Sequence, residues 1–289
     1  MTSSSRIVKR KYRPMTVGRV LKNVLLLVLV VIQAIPVIWC FFLSLKTQYD
    51  IFNNPLALPN PPQWSNYTKA LSRLRLTTMI GNTLFVAVIT ISIALFLTIL
   101  SSYAIGRMQF GKGRLQKGFY MYFLTGIITP IFVLILPIYL MNVSMGTYDT
   151  LLALILPYLG TAAPMNTMIM VAAYKSMPYS LEEAAIIDGC KLFRMIFTIA
   201  LPVIKPAIAT VVILHFLGIW NDFPFASVML TNTDNYTIAL SVSQFKGRYS
   251  TNYEQTCAAL TALIVPQIAV FAFFQKYIIS GLTAGAVKG

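Results

Sequence analysis

Residues 24–45 read VLLLVLVVIQAIPVIWCFFLSL and carry no charged side chain. A helix rises about 1.5 Å per residue, so a run of this length crosses the ~30 Å hydrocarbon core of a bilayer. It is too long for a signal-peptide core and lacks an A-x-A cleavage site after it, so it reads as a retained membrane helix. Five further apolar runs follow: Gly81–Ile105, Phe119–Met141, Leu151–Tyr174, Val203–Asp222 and Ala258–Ile279. The predicted fold class is all-α, a polytopic membrane protein with six transmembrane helices. Residues 1–22 form a basic tail and residues 23–289 the transmembrane domain. Prolines inside several runs (Pro36, Pro130, Pro137, Pro157, Pro164, Pro206, Pro266) predict kinked helices bending around a cavity.

Composition agrees: 57% of residues are hydrophobic and 11% charged, against about 25% charged in soluble domains. The net charge of +15 would suit nucleic acid, but the charges sit in short segments between apolar runs. That placement excludes a nucleic-acid partner and makes membrane lipid the surroundings. One set of connections holds most of the cations: Arg6, Lys9, Arg10, Lys11, Arg13, Arg19 and Lys22 in the tail, then Arg107, Lys112, Arg114 and Lys117. Lys175, Lys191, Arg194, Lys205, Lys276 and Lys288 belong to the same set. Lys46, Lys69, Arg73, Arg75, Lys246 and Arg248 lie on the other. The positive-inside rule then predicts that both termini are cytoplasmic. On the outer side, residues 46–80 and 223–257 read as long loops and residues 142–150 as a tight turn.

The chemistry that this chain lacks narrows its role. Gly106–Gly113 nearly spells a phosphate-binding loop, but Gly113 stands where a hydroxyl must reach magnesium, and a membrane helix precedes it in place of a strand. The three cysteines (Cys40, Cys190, Cys257) are scattered, with neither disulfide nor metal-ligand spacing. No Ser/His/Asp set, paired carboxylates or H-E-x-x-H motif supports hydrolysis, so the chain is not an enzyme by itself. The spans hold no internal acid of the kind that ion-coupled carriers use, which points to energy coupling from another chain. His215, the only histidine, lies inside the fifth run, either as glue between helices or lining a cavity.

Three of the eight acids crowd into residues 178–193, PYSLEEAAIIDGCKLF. Ser180 reads as an N-cap and Ser180-x-x-Glu183 as a capping box, with Glu182 and Glu183 in the first turn. Gly189 ends the helix in a left-handed conformation. Acids beside an anionic leaflet are repelled, so a short helix over about 180–189 with Ala184 and Ala185 on a small face suits docking to a protein better than lying on lipid.

This stretch resembles the "EAA" signature of ABC importer permeases: Glu183-Ala184-Ala185, three residues, Gly189, nine residues, then Ile199-x-Leu201-Pro202. Most of the chain is similar to the carbohydrate-importer, maltose-transporter-type permeases. Ser44-Leu45-Lys46, Asn66-Tyr67, Asn82-Thr83 and Ser102-Tyr103-Ala104 ahead of Arg107 share in the likeness. Trp220-Asn221-Asp222-Phe223 resembles the family's Trp-Asn-Glu-Phe, and the ending Gly281–Gly289 is typical of second permease subunits. The resemblance implies a permease of an ATP-driven carbohydrate (oligosaccharide) importer in a bacterial cell membrane. Its implied partners are a second, different permease, two ATPases holding ATP and Mg, and an extracellular sugar-binding protein, with no cofactor in this chain. It implies that Glu182, Glu183, Ala184, Ala185, Asp188 and Gly189 couple to the ATPases, and that the tail with Val287, Lys288 and Gly289 also reaches them. His215, Trp220, Asn221 and Asp222 are candidates for the solute pathway, though a Trp at a span's end also serves as an interfacial anchor. The competing reading is a self-contained secondary sugar carrier or channel.

Overall fold

The computed structural model describes residues 17–110, 113–245, 247 and 251–286. The regular elements among them are helical: α1 (Val17–Ser44), α2 (Gln48–Asn53), α3 (Ser65–Arg73), α4 (Leu76–Arg107), α5 (Arg114–Ile128), α6 (Ile135–Ser144), α7 (Leu152–Ser176) and α8 (Tyr179–Ile187). There follow α9 (Leu192–Arg194), α10 (Leu201–Val203), α11 (Lys205–Asn221), α12 (Pro224–Met229) and α13 (Tyr253–Ala286). α1, α4, α7 and α13 are continuous helices long and apolar enough to span a bilayer, as the first, second, fourth and sixth runs predict. α1 takes in residues 17–22 of the predicted tail.

The third run is broken within its length, and the fifth is bent at its start, so the described residues hold four continuous spans, or six if each bent pair is one span. α5 and the segment Ile131–Ser144 meet at 92°, and the segment Leu192–Val203 meets α11 at 82°. At the first break Pro130 has no N–H to continue the helix and holds Thr129 extended, at φ −71° and ψ 118°. At the second, Met195–Ala200 is π-helical just ahead of Pro202, and the turn comes at Ile204 before Pro206. Pro36, Pro157, Pro164 and Pro266 lie inside unbroken helices. The long loops also differ from expectation: α2 and α3 occupy the first, and α12 with short 3₁₀ turns at Thr233–Asn235 and Ala239–Phe245 occupies the second.

α4 and α7 form the centre. α4 presents Thr83, Ala87, Thr90, Ala94, Thr98 and Ser102, all buried and three or four residues apart, which places them on one face. Small side chains let two membrane helices approach closely where lipid offers no hydrophobic drive to associate. At one end of this pair a cluster gathers Tyr103, Met170, Tyr174, Ala185, Met195 and Ile196. At the opposite end Val86, Leu154, Phe225, Met229 and Leu240 pack together. α1 stands outside: Leu21 and Val24–Ile32 are exposed all round.

Candidate functional site

α8 forms between the end of α7 and the bend into α11. Its N-cap is Pro178, at φ −59° and ψ 133°, with no side-chain cap. Ser180 therefore sits in the first turn, and the predicted capping box does not form. The proline's fixed φ together with an extended ψ already supplies the flanking geometry, so the helix starts ahead of the serine. The other end follows the prediction. Gly189 has φ +75°, its N–H donates to Ile186 O at 2.9 Å, and Cys190 N–H donates to Ala185 O at 2.9 Å. These two bonds make a Schellman motif, which satisfies carbonyls that the helix end leaves open.

Of the two adjacent glutamates, one is exposed and the other buried. Glu183, Ala184, Asp188 and Gly189 are exposed, as are Ile186 and Ile187, the latter by 85%. Glu182 is 8% exposed. Its Oε2 accepts from Arg107 Nε at 2.9 Å and Nη2 at 2.7 Å, and its Oε1 accepts from the Tyr103 hydroxyl at 3.0 Å. Arg107 Nη1 donates to the carbonyls of Tyr174 (3.3 Å) and Met177 (3.0 Å). The Tyr179 ring lies 3.7 Å from the guanidinium carbon. Sequence reasoning groups Glu182 and Ala185 with the outward residues, whereas both are buried, and leaves Arg107 among the cations of the inner connections. The available signal was a single arginine directly after Ser102-Tyr103-Ala104, at the end of an apolar run.

The four candidate pathway residues divide between two cavities. His215 on α11 and Asp222 at its C-cap line a cavity of about 210 Å³ with Tyr158, Thr161, Asn166 and Gly218. Here Tyr158 donates to Asp222 Oδ2 at 2.6 Å, and Ala226 N–H donates to the same oxygen at 3.2 Å. His215 Nε2 and Asn166 Nδ2 are buried without a hydrogen-bond partner. Ile131, Thr161 and Met165 also line a neighbouring apolar cavity of about 620 Å³ between α5, α6 and α7. Trp220 and Asn221 line a separate cavity of about 390 Å³ with Ile238, Ser243, Leu260 and Gln267. Trp220 is 8% exposed and packs on Phe216 at 5.6 Å between ring centroids, so it is a protein-packed side chain and not an anchor in lipid headgroups. Tyr158 and Asn166 went unnoticed in the sequence, where both sit in an apolar run. Among the described residues no three of His, Cys, Asp and Glu gather as metal ligands do. Val287, Lys288 and Gly289 lie outside the described residues.

At the end of the molecule opposite α8, Asp149 ties the turn between α6 and α7 to the segment after α12. Its carboxylate accepts from Thr231 N–H (2.7 Å) and Asn232 N–H (2.8 Å). Burial pushes this carboxyl up, but the bonds from Asn232 and Thr231 outweigh it and hold it below the ordinary 3.8.

Residues 103–283 match the family described as "Binding-protein-dependent transport system inner membrane component". The chain is 33% identical to ORF2 of Caldicellulosiruptor sp. (strain Rt8B.4), which is named as an ABC transporter permease, over 92% of this chain and 96% of that one. It is 29% identical to the sulfoquinovosyl glycerol transport system permease SmoH of Agrobacterium fabrum, over 94% and 95% of the two chains. Its fold is that of a chain in a bacterial ABC transporter involved in import of the acidic polysaccharide alginate, with a TM-score of 0.74 at 21% identity, covering 92% of this chain and 99% of that one.

Proposed function

The chain belongs to the family of binding-protein-dependent transport system inner membrane components, and from that premise we propose that it is the permease subunit of an ATP-driven carbohydrate importer in a bacterial cell membrane. The observation that carries the reading is α8, a capped helix between two spanning segments with Glu183, Ile186, Ile187 and Asp188 exposed. A soluble motor docks there. Relatives named for transport of sulfoquinovosyl glycerol and of diacetylchitobiose support an oligosaccharide or glycoside as the solute.

Two ATPase subunits hold ATP and Mg, and this chain holds neither. A second, different permease supplies the other wall of the pathway, and an extracellular sugar-binding protein delivers solute to the end formed by residues 223–257. The distribution of Lys and Arg supports cytoplasmic termini and a cytoplasmic α8. The ATPases close, α8 is displaced, and the permease halves rock so that the cavities open to alternate sides. The cavity with Tyr158, Asn166, His215 and Asp222 suits a hydroxylated solute, because His215 Nε2 and Asn166 Nδ2 lack partners that sugar hydroxyls provide. The tail with Val287, Lys288 and Gly289 makes a further ATPase contact.

Reconstitution in liposomes tests the reading. Carbohydrate import should require this chain, its partner permease, the ATPases and ATP together. Import by this chain alone would overturn it.

A further inference from the structure

We infer that Glu182 is a positioning residue that acts through Arg107, carrying displacement of α8 into the neighbouring ends of α4 and α7, and is not itself a contact for the ATPase. The inference rests on the assignment of α8 as the coupling helix.

Both carboxylate oxygens of Glu182 are already engaged inside the protein, Oε2 by two guanidinium nitrogens and Oε1 by Tyr103. The side chains of Arg107 and Glu182 are 1% and 11% exposed, so no surface docked on α8 reaches them. Arg107 is fixed on three elements at once. It belongs to the last turn of α4, its Nη1 binds the Tyr174 and Met177 carbonyls at the end of α7, and its Nε and Nη2 hold α8. The Tyr174 carbonyl also accepts the Met177 N–H at the cap, at 3.1 Å, so the arginine adds bonds at the end of α7 while gripping α8. A planar guanidinium forms this array and a lysine ammonium does not, since only the fork offers donors in fixed directions. A push on exposed Glu183 or Ile187 thus reaches α4 and α7 through short, directed bonds. The opposite exit from α8 differs in kind. It leaves through Gly189, whose surroundings are open, with Ala185 packed on Met195 and Ile196. One side of the helix is latched and the other is hinged.

The test uses the complete transporter, permeases and ATPases together, in lipid, with the native cysteines replaced and Thr161→Cys placed in the α7 cavity as reporter. The probe is MgATP with vanadate, and the readout is the ratio of maleimide modification rates with and without it. In the otherwise native chain this ratio departs from one. Glu182→Gln and Arg107→Lys should each keep the ATPases bound through purification yet bring the ratio closer to one by a factor of roughly 2 to 30, the range for residues that carry coupling. The double variant should be no worse than the stronger single, because both break one latch. Release of the ATPases by Glu182→Gln but not by Arg107→Lys overturns the inference, since Glu182 is then a docking contact. Multiplying defects, or an unchanged ratio in both variants, overturn it too. If either variant fails to assemble, Tyr103→Phe removes one bond to Glu182 and is read in the same way: a partial loss supports the latch and an unchanged ratio overturns it. A transporter with native Glu182 and Arg107 that shows no response to ATP counts against the proposed function instead, and so separates the two failures.

Discussion

Gly189 and Asp149 both depend on backbone geometry, and each makes a prediction that burial alone would not. A Cβ on Gly189 would meet nothing within 4 Å, so the demand there is purely its φ of +75°. A left-handed residue with a Cβ costs about 1–2 kcal/mol, and asparagine tolerates it best. Gly189→Asn should therefore retain ATPase co-purification, Gly189→Ala should weaken it, and Gly189→Val should weaken it most. Equal behaviour of Asn and Val would sink the account. Asp149 titrates below 3.8 because Thr231 and Asn232 donate to its ionised form. A carboxyl depressed in the fold stabilises it fully above its unfolded value and loses that contribution as pH falls through the folded one. Protection of the Thr231 and Asn232 amides, corrected for intrinsic exchange, should thus fall as pH drops below about 3.8 and on through the lower folded value, with no such step in Asp149→Asn. The left-handed glycine was legible in the sequence, since only glycine ends a helix so readily. The fates of Glu182 and Glu183 were not. Neighbouring helical residues point about 100° apart, and which one turns inward depends on Arg107, far away in sequence.

At the scale of elements, helix existence followed from the length of apolar runs and helix direction did not. A count of apolar residues is indifferent to where a donor is missing. Of the prolines in the runs, Pro130 breaks a helix while Pro157 and Pro164 are carried through α7. Neighbouring helices decide this, because a freed carbonyl in lipid must find another partner. The packing of α5 on α7 has a similar hidden cause. A Cβ on Gly126 would lie 2.4 Å from Pro164 Cγ, and a proline ring has no rotamer by which to withdraw. Gly126→Ala should cost about 1–3 kcal/mol as overpacking, seen as a lower thermal midpoint of the purified permease. Gly118→Ala on the same helix meets nothing within 4 Å and should be neutral or slightly stabilising, by helix propensity alone. Equal midpoints for the two variants would show that α5 does not depend on this close approach.

At the scale of the whole molecule, the short motifs that the sequence shares with sugar permeases turn out to hold distant segments together. Asn66 donates to the carbonyls of Ser44 and Lys46 at 2.9 Å each, and Tyr67 hydrogen-bonds Ser44. Asn82 reaches the carbonyls of Asp234 and Tyr236, while Thr83 accepts from Ile238 N–H. Tyr103 and Arg107 hold Glu182, and Tyr158 holds Asp222. One sequence revealed each motif but not its partner, because pairing across a bundle leaves no trace in local spacing. These ties matter where apolar burial is weak. The exposed stretch of α1 through Val31 faces away from the protein, and lipid is as good a solvent for it as a neighbouring helix. α1 is then held by its packing on α13 and by the latch at its end, where Lys46 is also buried with Nζ bound to the carbonyls of Asn54 and Pro55. Asn66→Ala removes both donors from the Ser44 and Lys46 carbonyls and leaves those buried acceptors unsatisfied, at a cost of about 1–3 kcal/mol. The thermal midpoint should fall, and amide exchange at Gln63, whose N–H binds Leu45 O at 2.8 Å, should rise before that of α4. An unchanged midpoint with protected Gln63 would mean that α13 alone anchors α1.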